Sequence, residues 1–237
     1  MRTPGIKPCI KRRIDMRNLE ENIVPSTMQN SKNYYPNEGS GLRIMFAGNS
    51  ITKHAPKPDI GWERDCGMAA SCLEKDYVHL TVEKIREYDK NAAFAIAQVA
   101  DYERGYMNGA LESYSCAAGF RPDILVMFFG ANVPKEYNED TEGFAKAYED
   151  FRNLVSIENT KVYTIEGFYN KPFLDAGKRK VCEKYGDTFI ELGETRTRPE
   201  THGMFNHPND LGMREIAEKL FEAIKPEVIR LAKKDRL

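Results

Sequence analysis

Three side chains in this sequence could perform acyl transfer if the fold brings them to one place: Ser50, Asn132 and His207. Ser50 follows an apolar run, "LRIMFAG", that stops abruptly in Gly48-Asn49-Ser50. A serine hydroxyl is a weak nucleophile until a base takes its proton, and a histidine of near-neutral pKa is the usual base. The tetrahedral intermediate of ester cleavage then needs donors aimed at its oxygen. An Asn amide and backbone N–H groups at a strand-to-helix turn can supply them, and losing one typically costs about 2.7–4 kcal/mol in the barrier. Asn132 follows the run "DILVMFFG", and His207 lies in "THGMFNHPNDLGM", before the last amphipathic stretch.

The elements that must position these residues are legible from Gly41 onward. Apolar runs at 42–48, 93–100, 123–130, 161–167 and 187–192 are short, each closed by a turn or loop, and predict five parallel strands. Helical stripes alternate with them. Val78, Val82 and Ile85 mark one within 76–89. Phe144, Ala147, Tyr148, Phe151, Leu154 and Val155 mark a second, and Met213 to Ile224 a third that ends before Pro226. Such alternation predicts an α/β domain over 41–237 with a parallel sheet covered on both faces. The site then belongs beyond the carboxyl ends of the strands, where Gly48-Asn49-Ser50, Gly130-Ala131-Asn132 and the His202/His207 loop converge. Residues 1–40 lack periodicity and read as a wrapping arm, with the basic run "KPCIKRRIDMR" solvated and Asn22 to Pro25 a candidate edge strand.

The order and spacing of these blocks resemble the SGNH hydrolases, the GDSL-type esterases and lipases. That family's G-D-S is Gly48-Asn49-Ser50 here, its G-x-N-D is Gly130-Ala131-Asn132-Val133, and its D-x-x-H-P is Met204-Phe205-Asn206-His207-Pro208. The resemblance covers about residues 41–225. It implies a three-layer α/β/α, flavodoxin-like fold and an acyl-enzyme route, with Ser50 as nucleophile, His207 as base, and Asn132 and the Ser50 amide as oxyanion donors. A bacterial branch of the family shares "GNSIT", "GW" and "GMAAS", with no substrate attached to it.

Departures from the family pattern sharpen the expectation. Asn49 and Val133 stand where the family has Asp, and Met204 stands in the place of the triad acid. A backbone carbonyl can orient an imidazole in an acid's stead, so a Ser50–His207 dyad is expected, with Glu166 as an alternative acid. The family's second-block glycine has no clean counterpart in "ADYERGYMNG", where Gly105 is the candidate. Asp210 is expected to cap the last helix. Trp62 reads equally as core packing or as a sugar-stacking platform, and His54, with Lys53, as a residue able to touch substrate. His202 is expected on an exposed loop and His79 as a packing residue.

Composition narrows the partners. Lys plus Arg number 35 and Asp plus Glu 36, a net charge of −1, which offers no electrostatic case for nucleic acid. No segment approaches the ~20 apolar residues of a membrane span. Early positive charge is not followed by an apolar stretch, so a cytoplasmic protein without a secretory signal is expected. The five cysteines form no CxxC pair or zinc pattern, and Cys66 and Cys72 are read as packing residues. No phosphate loop or GxGxxG appears, so no cofactor or metal is expected. The sequence thus predicts a serine esterase acting on a small or carbohydrate-linked O-acetyl ester, with Trp62, Tyr102 and Tyr106 as a polar aromatic rim. A lipase or thioesterase remains open within enzymes, and a catalytically inactive, glycan-binding SGNH module outside them.

Overall fold

The computed structural model of the chain describes residues 34–37 and 39–234. Its strands are β1 (Tyr34–Asn37), β2 (Arg43–Gly48), β3 (Ala93–Gln98), β4 (Ile124–Phe128), β5 (Lys161–Ile165) and β6 (Thr188–Ile190). They form one sheet in the order β1-β3-β2-β4-β5-β6. Successive side chains of a strand face opposite ways, and here both sets are buried. Ile44 and Phe46 enter one core while Met45 and Ala47 enter the other; Val126 and Met127 divide likewise in β4. A strand covered on both faces reads as a continuous apolar run for this reason.

The five strands expected from the sequence are β2 to β6, mutually parallel. Among the described residues the sheet nevertheless has six strands, because β1 joins its edge antiparallel to β3, with Tyr34 opposite Ala97. Part of the expected arm is therefore a strand of the domain. Pro36 hid it: proline lacks an N–H and is tolerated on an edge strand but lowers any strand reading of its neighbours. The candidate strand at Asn22 to Pro25 and the basic run lie outside the described residues.

Two helices cover one face, α1 (Tyr77–Arg86) and α6 (Asp210–Lys234). The other carries α2 (Ala100–Gly105), α3 (Ser115–Ala118), α4 (Thr141–Val155) and α5 (Pro172–Tyr185). Asp76 and Asp140 cap α1 and α4, accepting the N–H groups of His79 and Gly143. The fully buried Phe144, Tyr148 and Phe151 of α4 contribute on the order of 1.5–3 kcal/mol each. Helix α5 escaped the sequence reading because buried Asp175 and Lys178, paired at 3.0 Å, interrupt its apolar stripe.

Two expectations about the last helix are corrected. It runs through Pro226 to Lys234, since Val228, fully buried beyond the proline, keeps that end packed. Its cap is Asn209, whose side-chain oxygen accepts the N–H groups of Leu211 and Gly212, while Asp210 reaches out to Ser71 and Lys75. From β2 the chain crosses outward to β3 and then back to β4 on the other side. That reversal opens a crevice at the carboxyl ends of β2 and β4, the strands that carry Ser50 and Asn132.

Candidate active site

Strand β2 must end in glycine. A Cβ at Gly48 would stand 1.8 Å from Thr52 Oγ1, and buried Thr52 is pinned by the Tyr77 hydroxyl at 2.8 Å. Past Gly48 the chain turns tightly. The Asn49 carbonyl accepts the N–H groups of Thr52 and Lys53, both at 2.9 Å, and Asn49 Oδ1 accepts that of Ile51 at 3.1 Å. Ser50 is left at the crest of this turn, half-buried.

His207 reaches the same point from the opposite end of the sequence. Its Nε2 lies 2.7 Å from Ser50 Oγ. Its Nδ1 lies 3.1 Å from the carbonyl oxygen of Phe205. A carbonyl can only accept, so Nδ1 carries the ring proton and Nε2 presents a lone pair to the serine hydroxyl. Burial pulls the His207 pKa below its ordinary 6.5; the Phe205 and Met204 backbones oppose this, and His54 adds to it. The imidazole is therefore neutral at pH 7, the state a general base requires.

The loop before His207 is strained. Phe205 and Asn206 have φ of +51° and +61°, left-handed conformations that cost a bulky residue on the order of 1–3 kcal/mol. The surrounding bonds hold it: Gly203 N–H donates to the His207 carbonyl at 2.7 Å, and Asn209 Nδ2 to the His202 carbonyl at 3.0 Å. Tyr169, from the loop after β5, sets its ring edge-on to His207 at 5.9 Å.

Asn132 is joined to the Ser50 turn through one side chain. Glu103, 1% exposed, accepts Asn49 Nδ2 at 2.9 Å and the Gly130 N–H on one oxygen, and Asn132 Nδ2 at 2.5 Å on the other. Gly130 has φ +128°, a conformation that favours glycine. Lys171 holds the same loop from its other side, donating to the carbonyls of Gly130, Ala131 and Val133 at 3.3, 2.8 and 3.2 Å.

The remaining candidates fall elsewhere. Glu166 pairs with Arg196 at 2.9 Å and accepts the Leu192 N–H, so the Phe205 carbonyl, not this acid, partners Nδ1. Trp62 is 1% exposed with its indole N–H on the His54 carbonyl; its faces are covered, and it is a core residue, not a platform. Tyr102 is likewise buried, its hydroxyl on the Ala147 carbonyl, so the expected aromatic rim of Trp62, Tyr102 and Tyr106 does not form. Gly105 ends α2, and what that helix sends to the site is Glu103. His54 is half-buried near His207, its Nδ1 on the Ala55 carbonyl. Lys53 turns away to Asp65 at 2.5 Å. His202 is half-buried against Phe168, and His79 packs on Phe94 beside Asp76. Burial pushes the Cys66 thiol up to about 12, which suits packing and not attack.

Glu103, Lys171 and Tyr169 were missed by sequence reasoning. Helix α2 spans six residues, too few for periodicity to mark a buried face. Lys171 and Tyr169 sit in a loop where only their types, not their directions, are visible. Among the described residues no cluster of three or more His, Cys, Asp or Glu is set to hold a metal ion, and no helix is long and apolar enough to cross a membrane.

No family model and no curated protein matches the sequence. Solved structures do. A family two carbohydrate esterase from Clostridium thermocellum, solved with cellohexaose, aligns at 18% identity with a TM-score of 0.54, over 81% of this chain and 66% of its own. A Bacillus subtilis protein aligns at 14% identity and TM-score 0.54, over 81% of this chain and 58% of its own. An acetylxylan esterase from Geobacillus stearothermophilus is a looser likeness, with 15% identity, a TM-score of 0.48, and 78% and 95% of the two chains covered. The fold of this chain is that of the SGNH hydrolases.

Proposed function

We propose that this protein is a serine ester hydrolase acting on a small or carbohydrate-linked O-acetyl ester. The observation that carries the reading is the 2.7 Å contact between Ser50 Oγ and His207 Nε2, with Nδ1 tied to a carbonyl so that Nε2 is free to accept. Ser50 Oγ attacks the ester carbonyl as its proton passes to Nε2. The new oxyanion is met by the Ser50 N–H and by the Asn132 amide hydrogen that Glu103 does not take. The bond to the leaving alcohol breaks as Nε2 returns the proton to that oxygen. Water then attacks the acyl-serine, gives a proton to Nε2, and acetate departs as Ser50 Oγ recovers its hydrogen.

A polar leaving alcohol, such as a sugar hydroxyl, is in keeping with the carbohydrate esterase solved with cellohexaose. A second reading, long-chain lipase or thioesterase, draws on Met204 and Phe205, which are 37% and 56% exposed on the His207 loop. The test is intact-mass labelling with a fluorophosphonate, followed by a panel of acetylated sugars and aryl esters of increasing chain length. A single adduct that is absent in Ser50→Ala is expected, with acetyl preferred over longer acyl groups. No adduct at mildly alkaline pH would favour a glycan-binding module without catalysis.

A further inference from the structure

Glu103 is almost wholly buried, yet no step of ester hydrolysis calls for it. Its three donors come from separate parts of the site: the nucleophile turn through Asn49, the end of β4 through the Gly130 N–H, and the oxyanion loop through Asn132. Only an acceptor-only group with two oxygens satisfies all three, because a carboxamide would turn its NH2 toward one of the donors. Lys171 answers from the other side by taking carbonyl oxygens of the same loop. Residues 130–133 thus hang between an anion that binds their N–H groups and a cation that binds their C=O groups.

We propose that Glu103 is the positioning residue of this site, a buried carboxylate that locks the nucleophile turn to the oxyanion loop and fixes which way the Asn132 amide faces. This rests on the hydrolase reading. Asn132 Nδ2 gives one hydrogen to Glu103 and its Oδ1 accepts Arg104 Nη2 at 3.3 Å, so the amide cannot flip and its second hydrogen is the one presented to substrate. The same contact accounts for Asn49 where the resembling family has Asp. A carboxylate at that position would stand 2.9 Å from Glu103, two like charges in a buried site. The negative charge has moved from the turn to the helix behind it.

Glu103→Gln and Glu103→Asp in the full chain test this, with p-nitrophenyl acetate as substrate and 15N-asparagine labelling as a second readout. A displacement of about 1 Å costs on the order of a hundredfold in rate, so Glu103→Gln is expected to lower kcat by at least ~30-fold with KM within ~threefold. Glu103→Asp, which keeps the charge, is expected to recover at least ~fivefold of that loss; if the Gln variant does not fold, Glu103→Ala takes its place as the uncharged reference in both comparisons. A folded Glu103→Gln enzyme with kcat within ~threefold of wild type overturns the proposal, as does a Glu103→Asp enzyme no better than it. If wild type neither turns over nor labels, the hydrolase reading fails by itself. The Asn49 and Asn132 side-chain amide signals then decide the positioning role: unchanged shifts in the variant refute it, and displaced shifts uphold it.

Discussion

His207 Nδ1 lies 3.1 Å from the carbonyl oxygen of Phe205, a residue held at φ +51° two positions earlier in the chain. That contact stands where the resembling family places a carboxylate. The carbonyl sets the tautomer and the ring orientation but brings no full charge to stabilise an imidazolium. The His207 imidazole is therefore neutral and aligned on a strained turn, and the behaviour with pH and mutation expected of the proposed hydrolase follows from that.

Activity should need only mild conditions to keep the base free. The folded His207 pKa lies below its ordinary 6.5, chiefly because the ring is buried. Neutral imidazole thus predominates above 6.5 and is lost as pH falls through the folded value. The kcat/KM profile on an aryl acetate should be flat near pH 7 and fall about tenfold per pH unit below an inflection under 6.5. Because the unfolded chain binds that proton more readily, stability should also decline through the same window as pH falls. His54→Ala removes the neighbouring imidazole that helps to lower the His207 pKa, so it should move the inflection upward.

The left-handed turn should be measurable as strain. Phe205 is 56% exposed, so its ring contributes little packing. Phe205→Val puts a β-branched residue at positive φ and should cost at least ~1 kcal/mol despite that exposure. Phe205→Gly fits the angle and should stay within ~1 kcal/mol of wild type, the relief being offset by the more flexible unfolded chain. Chemical denaturation of both variants checks this; equal stabilities would show that the turn is unstrained.

Asn49→Asp would restore the G-D-S block of the resembling family, yet a loss of activity is expected. The new carboxylate would face Glu103 at the 2.9 Å that now separates donor from acceptor. A fall of about tenfold or more in kcat should appear in steady-state kinetics. A variant as active as wild type would mean that the Glu103 contact is dispensable.

Met204→Asp would likewise restore the family's acid in sequence, three residues before His207, and should not build a triad. The Met204 side chain leans toward Gly61, whose ideal Cβ would lie 3.9 Å from its methyl group, and the Phe205 carbonyl already occupies Nδ1. The rate should change less than ~threefold, and the pH inflection should stay in place. A rate gain with a raised inflection would show that the loop can relax to admit the acid.

Much of this molecule is written in local sequence. Each inner parallel strand, β2 to β5, is a short apolar run because both its faces are covered, while edge strand β6 is marked only by the mixed run around Phe189 and Ile190; with these strands comes the crevice to which Ser50, Asn132 and His207 belong. Chemistry-bearing residue types at strand ends announce themselves in the same way. What tertiary structure decided was direction and partnership. Trp62 and Tyr102 could face solvent or core with equal local plausibility, and only packing turned them inward. Glu166 lies near the site in sequence logic but is held by Arg196, a contact 30 residues apart. Glu103 binds groups 27 to 54 residues away on either side, and no pattern of neighbours along the chain encodes such a convergence. Periodicity reports which face of an element is buried; which polar groups meet there depends on how separate elements are brought together.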